Sequence, residues 1–211
     1  MKYTSYPPHV ERLNYFSHGL GAIALILWAP LGLSVAHVIG TPLTIGVSIF
    51  ILGLLSMLVS STMYHYAVDA ERKWFWKRAD HICIYFAIAG SYTPFIIQYL
   101  WTPGGITLLI AMWTMAVCGV IFKVFTTGRL RLLSTLMYVL MGLSILWVSP
   151  EFFPVVPMKI KQLLVGGGLS YLIGVIFYLM KSWDYHHPVW HLFVLVGAGS
   201  HTLAVWHSLQ V

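Results

Sequence analysis

Ten of the 211 residues are histidine, and two of these, His187 and His191, stand four apart. On a helix that spacing sets two imidazoles side by side, the arrangement that lets both reach one metal ion. His65, on a separate apolar stretch, offers a third ligand. Three imidazoles and a water make an open tetrahedral zinc site, where the metal brings the water's pKa close to neutral. A plainer arrangement fits the same residues: such a spacing arises readily among ten histidines, and intramembrane histidines also bond between helices. Cys83 and Cys118 lie in separate apolar stretches without CxxC spacing. They read as buried small side chains rather than a disulfide or thiolate site.

Other polar residues collect near these histidines. At about 100° per residue, Glu11, Asn14 and His18 share a narrow arc, Ser61 stands one turn before His65, Asp80 shares a face with Ser91, and His201 shares one with His187 and His191. Simpler roles are open to each. Ser61 can bond to a carbonyl of its own helix; Asp80 can be a helix N-cap or a partner for Arg78; His9, His37, His186 and His207 fall near interfaces, where solvation is the default.

The elements that position these residues follow from composition. Hydrophobic residues make up 59% of the chain and charged ones only 9%, against roughly a quarter charged in a soluble domain. A water-soluble globule is thereby excluded. A bilayer-spanning helix takes roughly 20 apolar residues, and seven such stretches fall at 16–38, 42–65, 80–100, 104–125, 131–149, 162–181 and 187–208. The expectation is an all-α, seven-transmembrane-helix bundle forming a single membrane domain over 1–211. The first apolar run is too long for a cleaved leader and reads as a retained span. Gly40, Thr41 and Pro42, then Pro103 to Gly105, then Pro150, Pro154 and Pro157 punctuate the connections. Gly166 to Gly168 suit helix packing rather than a phosphate loop, and Trp74, Trp76, Trp101 and Trp183 suit interface belts.

The net charge of +6 forms no long run or stripe, which argues against nucleic acid as a partner. Instead the basic residues fall between spans. One side carries Lys2, Arg12, Arg72, Lys73, Lys77, Arg78, Lys123, Arg129, Arg131 and Lys181, and the other only Lys159 and Lys161. The positive-inside rule then puts the N-terminus in the cytoplasm and the C-terminus outside. This topology gathers Glu11, Asn14, His18, Ser61, His65, Asp80, His187 and His191 at one depth, with Asp80 at the start of its span.

The motifs Glu11-x-x-Asn14-x-x-x-His18-Gly19, Ser61-x-x-x-His65, Asp80-His81, Gly90-Ser91-Tyr92-Thr93-Pro94-Phe95, His187-x-x-x-His191 and Ser200-His201 resemble, in order and spacing, the bacterial haemolysin III branch of the progestin and adipoQ receptor (PAQR) family. Alkaline ceramidases are more distant relatives of that family. The resemblance covers nearly the whole chain and implies a seven-helix bundle with a cytoplasmic N-terminus. It implies that His65, His187 and His191 are zinc ligands, and that Ser61 and Asp80 stand near the metal, the aspartate holding the water there.

With that resemblance, the expected function is a zinc-binding integral protein of the bacterial cell (inner) membrane that acts in membrane-lipid or fluidity homeostasis. Its expected partner, besides the bilayer, is a membrane lipid. Zn2+ and Asp80 would hydrolyse a lipid amide or ester, with Ser61 orienting ligand or oxyanion. The alternatives are a lipid sensor with structural zinc, and a cytolysin or channel, although the charges show no path through the bilayer.

Overall fold

The computed structural model of the chain describes residues 6–211; Lys2 of the basic count lies outside them. The elements are α1 (Pro8–Ile39), α2 (Thr41–Tyr66), α3 (Ala70–Tyr99), α4 (Pro103–Thr126), α5 (Arg131–Leu143), a 3-10 segment (Ser144–Val148), α6 (Ser149–Val155), α7 (Met158–Leu179) and α8 (His186–Ser208). With Arg131–Val155 taken as one span, seven helices among the described residues are long and apolar enough to cross a membrane, in agreement with the seven stretches read from sequence.

The helices are longer than their apolar parts. Pro8 opens α1 at a position where the missing N–H is no loss. The side chain of Asp69 caps α3, accepting from the Glu71 and Arg72 amides at 3.1 and 2.9 Å. Asp80 is therefore neither an N-cap nor the start of its span: it sits three turns inside α3. Basic residues expected at interfaces also go inward. Lys73, Lys77 and Lys123 are all buried.

The second helix is the most enclosed, with α1 and α3 packed along it. The pair α2 and α3 approach closely because Gly53 lacks a side chain: a Cβ there would fall 2.7 Å from the Phe86 carbonyl oxygen. The last two helices pair with each other, and α8 closes back onto α1. Of the three consecutive glycines, only Gly167 meets this packing, with His201 filling the space its side chain would take; Gly166 and Gly168 face open space. Large apolar side chains such as Leu27, Phe125 and Leu132 point outward, as a lipid-facing surface requires.

The fifth span breaks into a 3-10 turn and resumes with Pro150 in the first turn of α6. Tyr92 stabilises the break: its hydroxyl faces the Met141 and Gly142 carbonyls at 2.7 and 2.8 Å and accepts from the Ile145 amide at 3.2 Å. Backbone groups freed in a membrane need such partners. Both cysteines are free. Cys83 is half-buried, but Cys118 is exposed, contrary to its reading as a buried packing residue, because its face of α4 has no neighbouring helix over it.

Candidate metal centre

The start of α1, the end of α2, the first turns of α3 and the start of α8 meet at one end of the bundle. One ligand atom from each of His65, His187 and His191 lies within 4.8 Å of the other two. His65 Nε2 and His187 Nε2 are 3.2 Å apart. All three rings are buried. The i, i+4 pair thus shares one face of α8, as the spacing predicts, and α2 supplies the third imidazole.

Neighbouring groups determine which nitrogen of each ring carries the proton. Glu11 Oε2 lies 2.6 Å from His65 Nδ1, and an ionised carboxylate only accepts, so Nδ1 is the N–H and Nε2 keeps its lone pair. For His191 the argument runs through Ser17. The Ser17 hydroxyl gives its single proton to the Asn14 carbonyl at 2.9 Å. It therefore accepts from His191 Nδ1, 3.1 Å away, which leaves Nε2 of His191 bare. This Nε2 is buried and has no hydrogen-bond partner among the described residues. Two imidazole lone pairs thus converge in a buried space, a donor set suited to a cation.

Further residues brace His65. Glu11 Oε1 accepts from Lys73 Nζ at 2.9 Å, and the same ammonium donates to the Tyr64 and Ala67 carbonyls, each at 3.3 Å, at the end of α2. Tyr6 covers the site from outside the first span, its ring stacked on His187 with centroids 4.9 Å apart. Burial, followed by the nearby Tyr178 and Glu11, raises the pKa of the Tyr6 hydroxyl well above the usual phenol range, so it stays neutral. His18 stacks on His191 with centroids 3.7 Å apart, and neither of its nitrogens has a partner among the described residues.

Ser61 and Asp80 lie at the same end of the bundle. The Ser61 hydroxyl interacts with the Asp80 carboxyl, and among the described residues it has no hydrogen-bond partner of ordinary geometry. Asp80 and His187 both line a cavity of about 830 Å³ whose walls include Phe50, Leu54 and Phe95. Other expected residues are used elsewhere. His201 turns to α7, donating to the Leu164 carbonyl at 3.3 Å. His186 is buried rather than solvated, because its ring bonds to the Phe177 carbonyl at 3.1 Å. Arg78 packs against Trp74 and makes no ion pair with Asp80 among the described residues.

Sequence reasoning placed Glu11 and Asn14 near the histidines without giving them a role, and it missed Ser17, Lys73 and Tyr6. Ser17 falls three residues after Asn14, a weak signal that only the position of α8 makes meaningful.

Comparison with known proteins identifies the family. The model of the family described as haemolysin-III related matches residues 6–202. The chain is 36% identical over 192 residues to a hemolysin-3 homolog of Bacillus subtilis (strain 168), covering 90% of each chain. It is 37% identical over 194 residues to hemolysin-3 of Bacillus cereus, covering 89% of this chain and 86% of that one. The human monocyte to macrophage differentiation factor is 28% identical over 174 residues, covering 76% of this chain and 69% of its own. The chain belongs to the haemolysin III family.

Proposed function

We propose that this haemolysin III family member is a zinc-dependent hydrolase of lipid amide or ester bonds in the bacterial cell (inner) membrane, acting in membrane-lipid homeostasis. The observation that carries the reading is the shared wall: Asp80 and His187 line one largely apolar cavity of about 830 Å³, large enough for much of an acyl chain. Zinc is the metal of choice for three neutral imidazoles. His65 Nε2 and His187 Nε2 are separated by 3.2 Å, and one ligand atom from each of the three rings lies within 4.8 Å of the others, close enough for one ion to be shared.

His65, His187 and His191 would hold Zn2+, which when bound would supply Lewis acidity and lower the pKa of water near it. The remaining work falls to the chain. The Asp80 carboxylate, on the cavity wall, accepts the proton of the attacking water and returns it to the departing amine or alkoxide. Ser61 directs its hydroxyl at the developing oxyanion or at Asp80. Glu11 and Ser17 keep His65 and His191 in their metal-binding tautomers. The apolar walls shield the reacting bond from bulk water.

A second reading has its own support. His65 and His191 are almost fully buried, and a metal there joins α2 to α8, as in a lipid sensor with structural zinc. The cytolytic role in the names of the Bacillus relatives has less support, because the charged residues of the cavity gather at one end instead of forming rings along a passage. In the proposed orientation the basic segments, and with them the metal end, face the cytoplasm.

Lipid profiling tests the hydrolase. In cells lacking the protein a lipid amide or ester should accumulate, and wild type but not Asp80→Ala should reverse it. Full reversal by Asp80→Ala with normal zinc content would remove the hydrolase mechanism.

A further inference from the structure

The cavity carries a charge imbalance that the metal chemistry does not use. Its lining includes Lys77, Lys123, Arg129, Arg131 and Lys181, against Asp80 as the one carboxylate. Two ion pairs occur among the described residues, and both involve Glu11. None of the five cavity cations makes an ion pair there: Asp80 lies near enough to act on Lys77 and Lys123, so one carboxylate faces two buried cations, with Arg131 half-buried and Arg129 and Lys181 exposed beside them. Two of them are deeply placed: Lys77 is 7% exposed and Lys123 only 2%. Lys123 donates to the Ser134 hydroxyl, a neutral group, and the Arg131 guanidinium lies over the Tyr178 ring, 5.3 Å from its centroid. Neither contact neutralises a charge.

Position along the chain puts all five at one end. Lys77 lies in the first turns of α3, Lys123 in the last turn of α4, Arg129 in the following link, Arg131 at the start of α5 and Lys181 just after α7. This is also the end where α8 begins, with His187 in its first turn. Away from it the cavity wall is largely apolar, with Phe95, Phe152 and Leu172 among its residues and Ser91, Tyr92, Tyr171 and His201 as its polar ones. Buried cations inside a membrane bundle need an anion, and an isolated one is strongly unfavourable. A neutral or cationic headgroup would leave the imbalance in place.

We propose that the cavity binds a lipid with an anionic head, a phosphate or carboxylate held among Lys77, Lys123, Arg129, Arg131 and Lys181, with its acyl chain along the apolar wall. This deepens the hydrolase reading and rests on it only for turnover: it names the charge class of the lipid, and binding itself needs no catalysis. Arg and Lys donors on a phosphate or carboxylate form charge-assisted bonds, so the five cations set head recognition while the wall sets only length.

Purified protein in a maltoside detergent provides the test, with melting temperature read against added dioleoyl phosphatidylglycerol, oleate, dioleoyl phosphatidylcholine or inorganic phosphate. Saturable stabilisation by phosphatidylglycerol or oleate, well above that from phosphatidylcholine, is the expected result. The Lys77→Gln, Lys123→Gln double variant should weaken that response by about tenfold or more, the loss expected for one charge-assisted bond, and Lys159→Gln, Lys161→Gln should leave it unchanged. Lys77→Met, Lys123→Met preserves side-chain bulk and should give the same loss if the glutamines disturb folding. Equal stabilisation by phosphatidylcholine, or an undiminished anionic response in both double variants, would overturn the proposal. So would inorganic phosphate alone reproducing the whole shift, since the site would then hold a small anion without a tail. Asp80→Asn separates this proposal from the hydrolase: it should bind the anionic lipid at least as well as wild type, having lost a negative charge beside the head, whether or not wild type turns lipid over.

Discussion

Glu11 Oε2 and His65 Nδ1 lie 2.6 Å apart across the α1–α2 interface, and the other oxygen of the same carboxylate receives Lys73 Nζ at 2.9 Å. A carboxylate held on both sides cannot turn away from the ring, so His65 keeps Nε2 aimed at His187. Partners of this kind contribute roughly 10- to 100-fold to metal affinity. Glu11→Gln should therefore lower zinc affinity by that range, measured by competition with a chromogenic chelator, while the helical circular dichroism is kept. Unchanged affinity would mean that the carboxylate braces the helices without serving the ligand.

The ligand set makes a second prediction. His191→Ala should lose most of the roughly one zinc per chain expected of purified protein, because one of the three proposed ligands is gone. His37, exposed in the last turn of α1 at the opposite end of that helix, should tolerate alanine with zinc retained. Elemental analysis of both variants decides it, and equal zinc in the two would refute the assignment.

Tyr92 offers a test of the fold alone. Its hydroxyl serves backbone groups at the α5 break, and leaving buried groups of this kind without a partner costs about 1–3 kcal/mol. Tyr92→Phe should lower thermal stability by that order with zinc content unchanged. A variant as stable as wild type would show that water or lipid satisfies those carbonyls.

Much of this was legible in the sequence, for definable reasons. The seven spans were, because each needs about 20 apolar residues and little else in the chain is long enough to compete. The grouping of His65 with His187 and His191 was, because an i, i+4 pair is local and the charge asymmetry puts the end of α2 at its depth; His18 lies at that depth too, and local pattern alone does not choose between them. The extra turns at the start of α3 were not: Lys73 and Lys77 look like interfacial cations in a linear reading, yet Lys73 turns inward to Glu11 and Lys77 to the cavity. Ser17 was invisible because its contact with His191 joins residues 174 positions apart, and no local pattern encodes such a meeting. The fifth span was read as stopping at 149, whereas it continues through α6, since Pro150 in a first helical turn resumes a helix as well as it ends one.

Orientation is a fourth prediction. Among the described residues the basic ones gather at the start of α1 and around the segments joining α2 to α3, α4 to α5 and α7 to α8, and only Lys159 and Lys161 lie at the other end. Reporter fusions should place segment 66–79 in the cytoplasm and Val211 outside. Finding both on one side would remove a span and separate the metal end from the compartment proposed for it.

Metal removal separates the two roles considered for the ion. A ligand bound only by the folded state stabilises it by about 4.1 kcal/mol when present at 1,000 times its Kd, so stripping zinc should lower the melting temperature of wild type and of Asp80→Ala alike, and readdition should restore both. Lipid turnover should follow a different pattern. In wild type it should vanish on stripping and return with zinc, whereas Asp80→Ala should stay slower by about 10²- to 10⁴-fold even with its metal restored, the usual contribution of a general base. His65→Ala serves as the contrast, because it unlinks α2 from α8: its melting temperature should be low and insensitive to zinc. A purely structural ion predicts instead that Asp80→Ala retains full lipid activity and that stripped wild type loses function only in proportion to unfolding. Melting temperature, bound zinc and lipid composition measured on the same three proteins therefore assign the ion, and a fully active Asp80→Ala protein with normal zinc would leave it the structural role.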